Sequence, residues 1–240
     1  MTTPPPTQHA DAPAPVIVAV GDAHGRADLV RQLIGKAERR YEDRAFRFVF
    51  LGDYVDRGPD SRGVIDALIE LQDARPDTVL LKGNHEEAML DFVADPEEGE
   101  AWLEWGGEET LASYGVERAP GMALTTLRDV FADALPDRHF AFLMGLDLTH
   151  REGDTLFVHA GLNPERALED QRERDLLWVR DEWRKNGKGA FPGLAVVHGH
   201  TPVPKPENLS WRVNVDTGAV LSSRLTALCL DGGKRSFIST

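Results

Sequence analysis

The sequence predicts an α/β fold on two observations: a strand, loop and helix cycle that occurs three times at a fixed spacing, and a series of short strand-like runs that dominates from Asp154 onward. In the first cycle the β-branched run Val16 to Val20 ends at the turn-rich GDAHGR, and apolar residues then fall at Leu29, Val30, Leu33, Ile34 and Ala37, one face of a helix. FRFVFL, GDYVDRGPD and the series Val64, Ile65, Leu68 and Ile69 repeat it, with Asp60 or Ser61 as the helix N-cap. TVLLKGN and HEEAMLDFV make the third cycle.

Asp22, Asp53 and Asn84 each close a strand, and 31 residues separate each from the next. One β-α-β unit fits that interval, and right-handed crossovers make the strands parallel. All three polar residues then emerge at the same carboxyl edge, so a shared site is expected there.

Residues 96–146 break the cycle and read as a helical insertion, with helical segments through LRDVFADAL and RHFAFLMGL and with Trp102 and Trp105 as packing residues. The later runs DTLFVHAG, LAVVHGHT, RVNVDTGA, SRLTALCL and RSFIS suggest a second, largely antiparallel sheet. Residues 1–15, rich in Pro and Ala, read as a flexible tail, leaving 16–240 as a single domain.

The formal charge of −13 argues against nucleic acid and anionic membranes as partners, and requires any phosphate site to be locally positive. With no apolar stretch long enough to span a bilayer, the chain is expected to be soluble. The one cysteine, Cys229, lies in the apolar run LTALCL and reads as a buried thiol, fitting a reducing, cytoplasmic setting. Oligomeric state is not legible.

Six side chains at strand-to-loop junctions are of metal-ligand type: Asp22, His24, Asp53, Asn84, His159 and His200. Singly, each has an ordinary explanation, because an Asp at a strand end caps a helix and a His there can bond a carbonyl. Together, beside Gly21, Gly25, Gly52, Gly58, Gly83 and Gly161, they point to metal. Asp22 and His24, two apart, suit one ion; Asp53, on the middle strand, can bridge two; Asn84, His159 and His200 complete the second. Mixed oxygen and imidazole donors suit two divalent transition-metal ions, manganese first, with iron or zinc as alternatives.

The motifs GDAHG at 21–25, GDYVDRG at 52–58, GNHE at 83–86, HAG at 159–161 and GHT at 199–201 together resemble the phosphoprotein phosphatase family of calcineurin-like metallophosphoesterases. The shorter bacterial and bacteriophage-type members are the nearer likeness, since HAG stands where the eukaryotic group has HGG. The resemblance implies a metallophosphoesterase fold, two packed mixed β-sheets flanked by helices. It implies the same ligand grouping, and chooses His200 over His198, which becomes a strand residue. It also implies that His85, as general acid, and Asp56, as its partner, act together; Arg57 and Arg180, whose planar guanidinium groups offer paired donors, are candidates with Asn84 to bind the substrate's phosphate, Arg180 having surface pairing with Asp181 or Glu182 as its plainer reading.

The expected reaction is hydrolysis of a phosphomonoester by direct attack of a hydroxide held between two metal ions, with no phosphoenzyme. Because relatives that cleave diadenosine tetraphosphate typically have a non-acidic residue where this chain has Asp56, a serine/threonine protein phosphatase ranks first. A dinucleoside polyphosphate hydrolase is the alternative. The substrate is therefore a phosphoprotein or a phosphorylated small molecule. A non-catalytic scaffold ranks last, since every ligand, His85, Asp56 and Arg57 are present.

Overall fold

The computed structural model describes residues 14–240; residues 1–13 of the predicted tail lie outside it. In chain order the elements are β1 (Val16–Val20), α1 (Ala27–Arg40), β2 (Phe46–Phe50), α2 (Ser61–Ala74), β3 (Val79–Leu80) and α3 (Asn84–Ala94). A π-type segment at Leu103–Gly107 leads into α4 (Glu108–Ser113), α5 (Leu124–Ala134) and α6 (Asp137–Met144). There follow β4 (Thr149–Glu152), β5 (Thr155–Val158), α7 (Glu173–Trp178), α8 (Asp181–Asn186), β6 (Ala195–His198), β7 (Glu207–Asn208), β8 (Arg212–Asn214), α9 (Ala219–Ser222), β9 (Thr226–Asp231) and β10 (Lys234–Ser239).

Two five-stranded mixed sheets pack face to face, in the orders β10-β9-β1-β2-β3 and β4-β5-β6-β8-β7. Strand periodicity divides the core into layers. Ile17, Ala19, Val49, Leu51 and Leu228 point from the first sheet toward Phe157, Val197 and Val213 of the second. The alternate residues Val16, Val18, Val20, Phe48 and Phe50 face the helix layer of Leu33, Ile65 and Leu68. On the far side, Leu156, Val158 and Val196 are covered by Leu176 and Trp183. Both faces of both sheets are thus covered, which is why β1, β2 and β9 read as near-continuous apolar runs.

The parallel pairing β1-β2-β3 holds as the 31-residue cycle predicts, and the N-cap of α2 is Asp60, whose Oδ1 accepts from Gly63 N at 2.8 Å. Two expectations are corrected. SRLTALCL and RSFIS belong to the first sheet, with β9 antiparallel to β1 and β10 antiparallel to β9. β9 is apolar on both sides and needs cover on both, which the place beside β1 supplies. Nor is the second sheet largely antiparallel: β5, β6 and β8 are parallel, and only the edge strands β4 and β7 run against them. The segment from β5 to β6 contains α7 and α8, a connection long enough for a parallel crossover. Among the described residues no helix is long and apolar enough to cross a membrane.

Candidate metal centre

The carboxyl edges of the parallel strands deliver the expected side chains to one place. Asp22 follows β1, Asp53 follows β2, Asn84 opens α3 just after β3, His159 follows β5 and His200 follows β6. Asp22, His24, Asp53, Asn84, His85, Asp56, His159 and His200 are all buried. Asp53 is at the middle: its Oδ2 lies 3.4 Å from His24 Nε2 and its Oδ1 3.4 Å from His159 Nε2. His159 Nε2 is also 3.0 Å from Asn84 Oδ1 and 3.1 Å from His200 Nδ1. Two clusters that could each hold an ion result, His24-Asp53-His85 and Asp53-His159-His200, the atoms of each within 4.8 Å of one another; the first has His85 where the sequence expectation has Asp22. Asp53 belongs to both.

The donor set fits a pair of cations. His24 Nδ1 donates to Val55 O and His159 Nδ1 to Leu51 O, both at 2.9 Å, so each ring turns an unprotonated Nε2 inward. Asp22 accepts from His200 N through Oδ2 at 2.9 Å, while its buried Oδ1 has no hydrogen-bond partner. Orphaned acceptors deep in a protein are costly unless something positive meets them. Gly199 makes Asp22's position possible, since a Cβ there would fall 2.0 Å from Asp22 Oδ1; one at Gly83 would fall 2.2 Å from Asp53 Oδ1.

The titration of these groups follows from burial and mutual charge. Burial, then the charges of Asp216 and Asp53, push Asp22 well above the usual carboxylate range. Asp53 goes the other way: against the cost of burial, His159, His85, His24 and His200 hold it low. Burial depresses His24 to about 3 and His200 to about 2, and lowers His159. His85 is the exception, raised despite burial because Asp53 and Asp56 stand beside it. Burial thus favours the neutral form of His24, His159 and His200, the form that metal ligation requires, while the neighbouring carboxylates favour the charged form of His85.

His85 Nδ1 meets Asp56 Oδ2 at 2.6 Å, as the sequence expectation placed it. Arg57 spans His24 Nε2 at 2.8 Å and His85 Nε2 at 2.7 Å, at the mouth of the cluster. Arg180 is exposed at the start of α8; Asp181 pairs instead with Lys185 at 2.8 Å, and the charge of Arg180 is felt by His159 and His200. His198 ends β6 as a buried strand residue, its Nδ1 donating to Gly199 O.

Four contributors were not anticipated. Glu86 accepts amide hydrogens from Asp53, Tyr54, Val55 and Gly83, tying the second and third loops together. Trp102, read as packing, does stack on Phe131, but its Nε1 also donates to both carboxylate oxygens of Asp56, and Thr110 Oγ1 donates to Oδ1 at 2.7 Å. Asp216 is buried beside the cluster and pushed up to about 6 by burial. Asp216 had a sequence signal, a strand followed by Asp-Thr-Gly, but outside the 31-residue repeat. Trp102, Thr110 and Glu86 had none, because their partners are distant in sequence or are backbone amides.

Backbone strain concentrates here. His24, Asp53, Asp56, Arg57 and His200 all have positive φ, between 42° and 72°, and the only other non-glycine residue so placed among the described residues is Ser223. Such conformations cost on the order of 1–3 kcal/mol each and persist where their surroundings over-determine them, as the Glu86 clamp does for Asp53.

A two-sheet sandwich that gathers carboxylate, amide and imidazole donors at its strand ends is the architecture of a metal-dependent phosphoesterase. The family model "Calcineurin-like phosphoesterase" matches residues 15–223, and the chain belongs to that family. It is 28% identical over 197 residues to bis(5'-nucleosyl)-tetraphosphatase PrpE (asymmetrical) of Anoxybacillus flavithermus, covering 76% of this chain and 74% of that protein. The protein of the same name from Bacillus mycoides is 26% identical over 230 residues, covering 87% and 88%. Among solved structures, a putative diadenosine tetraphosphatase superposes with a TM-score of 0.64 at 21% identity, covering 94% and 93% of the two chains. A cold-active protein-tyrosine phosphatase of a psychrophilic Shewanella gives 0.62 at 16% identity, covering 94% and 80%. At these identities the structural likenesses speak for the fold alone.

Proposed function

We propose that this phosphoesterase hydrolyses dinucleoside polyphosphates of the diadenosine tetraphosphate type, in place of the phosphoprotein substrate that the sequence ranked first. The observation that carries the choice is the similarity, over up to 87% of the chain, to proteins named bis(5'-nucleosyl)-tetraphosphatases. Asp56 had tilted the ranking toward phosphoproteins. Its neighbours explain why that inference is weak: all its contacts serve His85 or the surrounding loop, and none is positioned to sense what lies beyond the phosphate.

Asp22, His24, Asp53, Asn84, His159 and His200 would hold two divalent ions, manganese in our reading, which neutralise phosphoryl oxygens and make hydroxide available near neutral pH. The chain's own residues supply the rest. Arg57 and Arg180 bind the non-bridging phosphoryl oxygens, a task suited to a planar guanidinium with paired donors. Asn84 turns its side chain into the same gap. Arg57 Nη2 donates to His85 Nε2 at 2.7 Å in this structure; once that guanidinium turns to a phosphoryl group, Nε2 is free to carry the proton that the leaving oxygen takes as the P–O bond breaks, and Asp56 stabilises the imidazole through Nδ1.

The test loads the protein with Mn²⁺ and compares kcat/KM on diadenosine tetraphosphate with that on phosphoserine, phosphothreonine and phosphotyrosine peptides. The dinucleotide is expected to lead by at least about tenfold, a difference of 1.4 kcal/mol in transition-state binding. A phosphopeptide that leads by the same margin overturns the assignment and restores the protein phosphatase.

A further inference from the structure

A cavity of about 560 Å³ opens directly from the metal centre, with His24 and Arg57 at its base and Trp105, Pro202 and Leu221 among its walls. Two of these walls are unusual for a water-facing surface. Trp105 is 40% exposed and Leu221 is 91% exposed, yet both border the place where a phosphoryl group would bind. Large exposed apolar groups beside a polar reaction centre mark a surface that meets ligand.

Trp105 is fixed relative to the phosphate site by its backbone. Its carbonyl accepts from Arg57 Nε at 3.4 Å, and the next carbonyl, of Gly106, accepts from Arg57 N at 3.1 Å. Gly106 has φ 111°, and a Cβ there would fall 2.5 Å from Arg57 N, so only glycine lets the two segments close on each other. Trp105 also meets Trp178 edge to face at 5.3 Å, and Trp178 is itself anchored by its Nε1 to Glu87. The indole is therefore held on one side and faces the cavity on the other. Glu104 and Glu109 add carboxylate acceptors to the lining.

We infer that this cavity is a nucleobase subsite: Trp105 stacks on a base whose phosphate lies at Arg57, Pro202 and Leu221 supply the remaining apolar contact, and Glu104 or Glu109 accepts from the base's exocyclic amine. This rests on the dinucleotide reading for its biological substrate. A flat, weakly hydrated ring with an amino edge matches an indole face beside carboxylates, and stacking of this kind is strong and tolerant of base identity. A second cavity of about 580 Å³, lined by Glu87, Asp91, Trp105, Arg174 and Trp178, lacks the link to Arg57 and His24 and lies on the side where Trp178 meets Trp105.

The test uses inhibition constants, so it stands apart from which substrate is turned over. With Mn²⁺-loaded protein and p-nitrophenyl phosphate as reporter, AMP and inorganic phosphate are compared as competitive inhibitors. AMP is expected to bind about ten- to a hundredfold more tightly than phosphate, the range that base stacking supplies. Trp105→Ala should remove most of that gap and Trp105→Phe should keep most of it. Leu221→Ser, at a side chain too exposed to matter for folding, should narrow it by a smaller factor. Equal inhibition by AMP and phosphate in the parent protein, or a gap that survives Trp105→Ala, overturns the subsite. If AMP binds through Trp105 while phosphopeptides are the better substrates, the subsite stands and the substrate assignment falls.

Discussion

Asp53→Asn is expected to lower the metal content from two ions per chain to one or none and to cut kcat on p-nitrophenyl phosphate by about 10³-fold or more. Asp53 alone belongs to both donor clusters, with one carboxylate oxygen toward His24 and the other toward His159. An amide offers one neutral oxygen where two sharing a full negative charge stood. Lewis-acid stabilisation of phosphoryl charge is worth several kcal/mol, and each 1.36 kcal/mol is a factor of ten. The backbone should keep its shape, because Glu86 holds the Asp53, Tyr54 and Val55 amides independently of the Asp53 side chain. Metal analysis and circular dichroism on the same sample check both halves. Full metal content and activity in the variant would remove Asp53 from its bridging place.

His85→Asn is expected to separate substrates by their leaving groups. A positioned acid contributes typically about 10²–10⁴-fold, and does so only where the departing oxygen needs its proton. An alkyl phosphate should lose activity across that range, while p-nitrophenyl phosphate, whose anion is stable, should lose far less. Diadenosine tetraphosphate should fall nearer the second, since its leaving group is itself a phosphate. Both ions should remain bound, because Asp22, His24, Asp53, Asn84, His159 and His200, the residues assigned to them, are untouched. The strength of the effect depends on how firmly the acid is aimed, and here the aim is set from the helical segment at 102–110: Trp102 and Thr110 hold Asp56, and Asp56 holds His85. Equal losses on all three substrates would strip His85 of the acid role.

Much of this was legible in the sequence because the donors are local features. Asp22, Asp53 and Asn84 each end a strand within a repeated unit, and the handedness of β-α-β crossovers then sends them to one edge without knowledge of the rest of the fold. His159 and His200 could be placed because each follows a clear apolar strand before a turn. What escaped depends on contacts between distant segments. The pattern of β9 announces a strand with two covered faces but not which sheet provides them. Trp102 looks like any core tryptophan until the chain brings its Nε1 to a carboxylate 46 residues earlier. Glu86 sits within the GNHE motif, yet its role as an acceptor for four amides is visible only once two loops meet. The proposed substrate differs from the one the sequence ranks first for a related reason: Asp56, the residue that decides the ranking, works inside the site, whereas the cavity beside it is walled by residues from 104–109 and 202–221.

The paired-cation claim is tested most directly by calorimetric titration of Mn²⁺ into chelator-stripped protein, with thermal unfolding followed in parallel. Two ions per chain are expected. At a hundredfold excess over Kd each ion stabilises the fold by about 2.7 kcal/mol, which for a chain of this length raises Tm by about 5–10 °C. Saturation at one ion per chain, or no uptake and an unchanged Tm, would contradict the account.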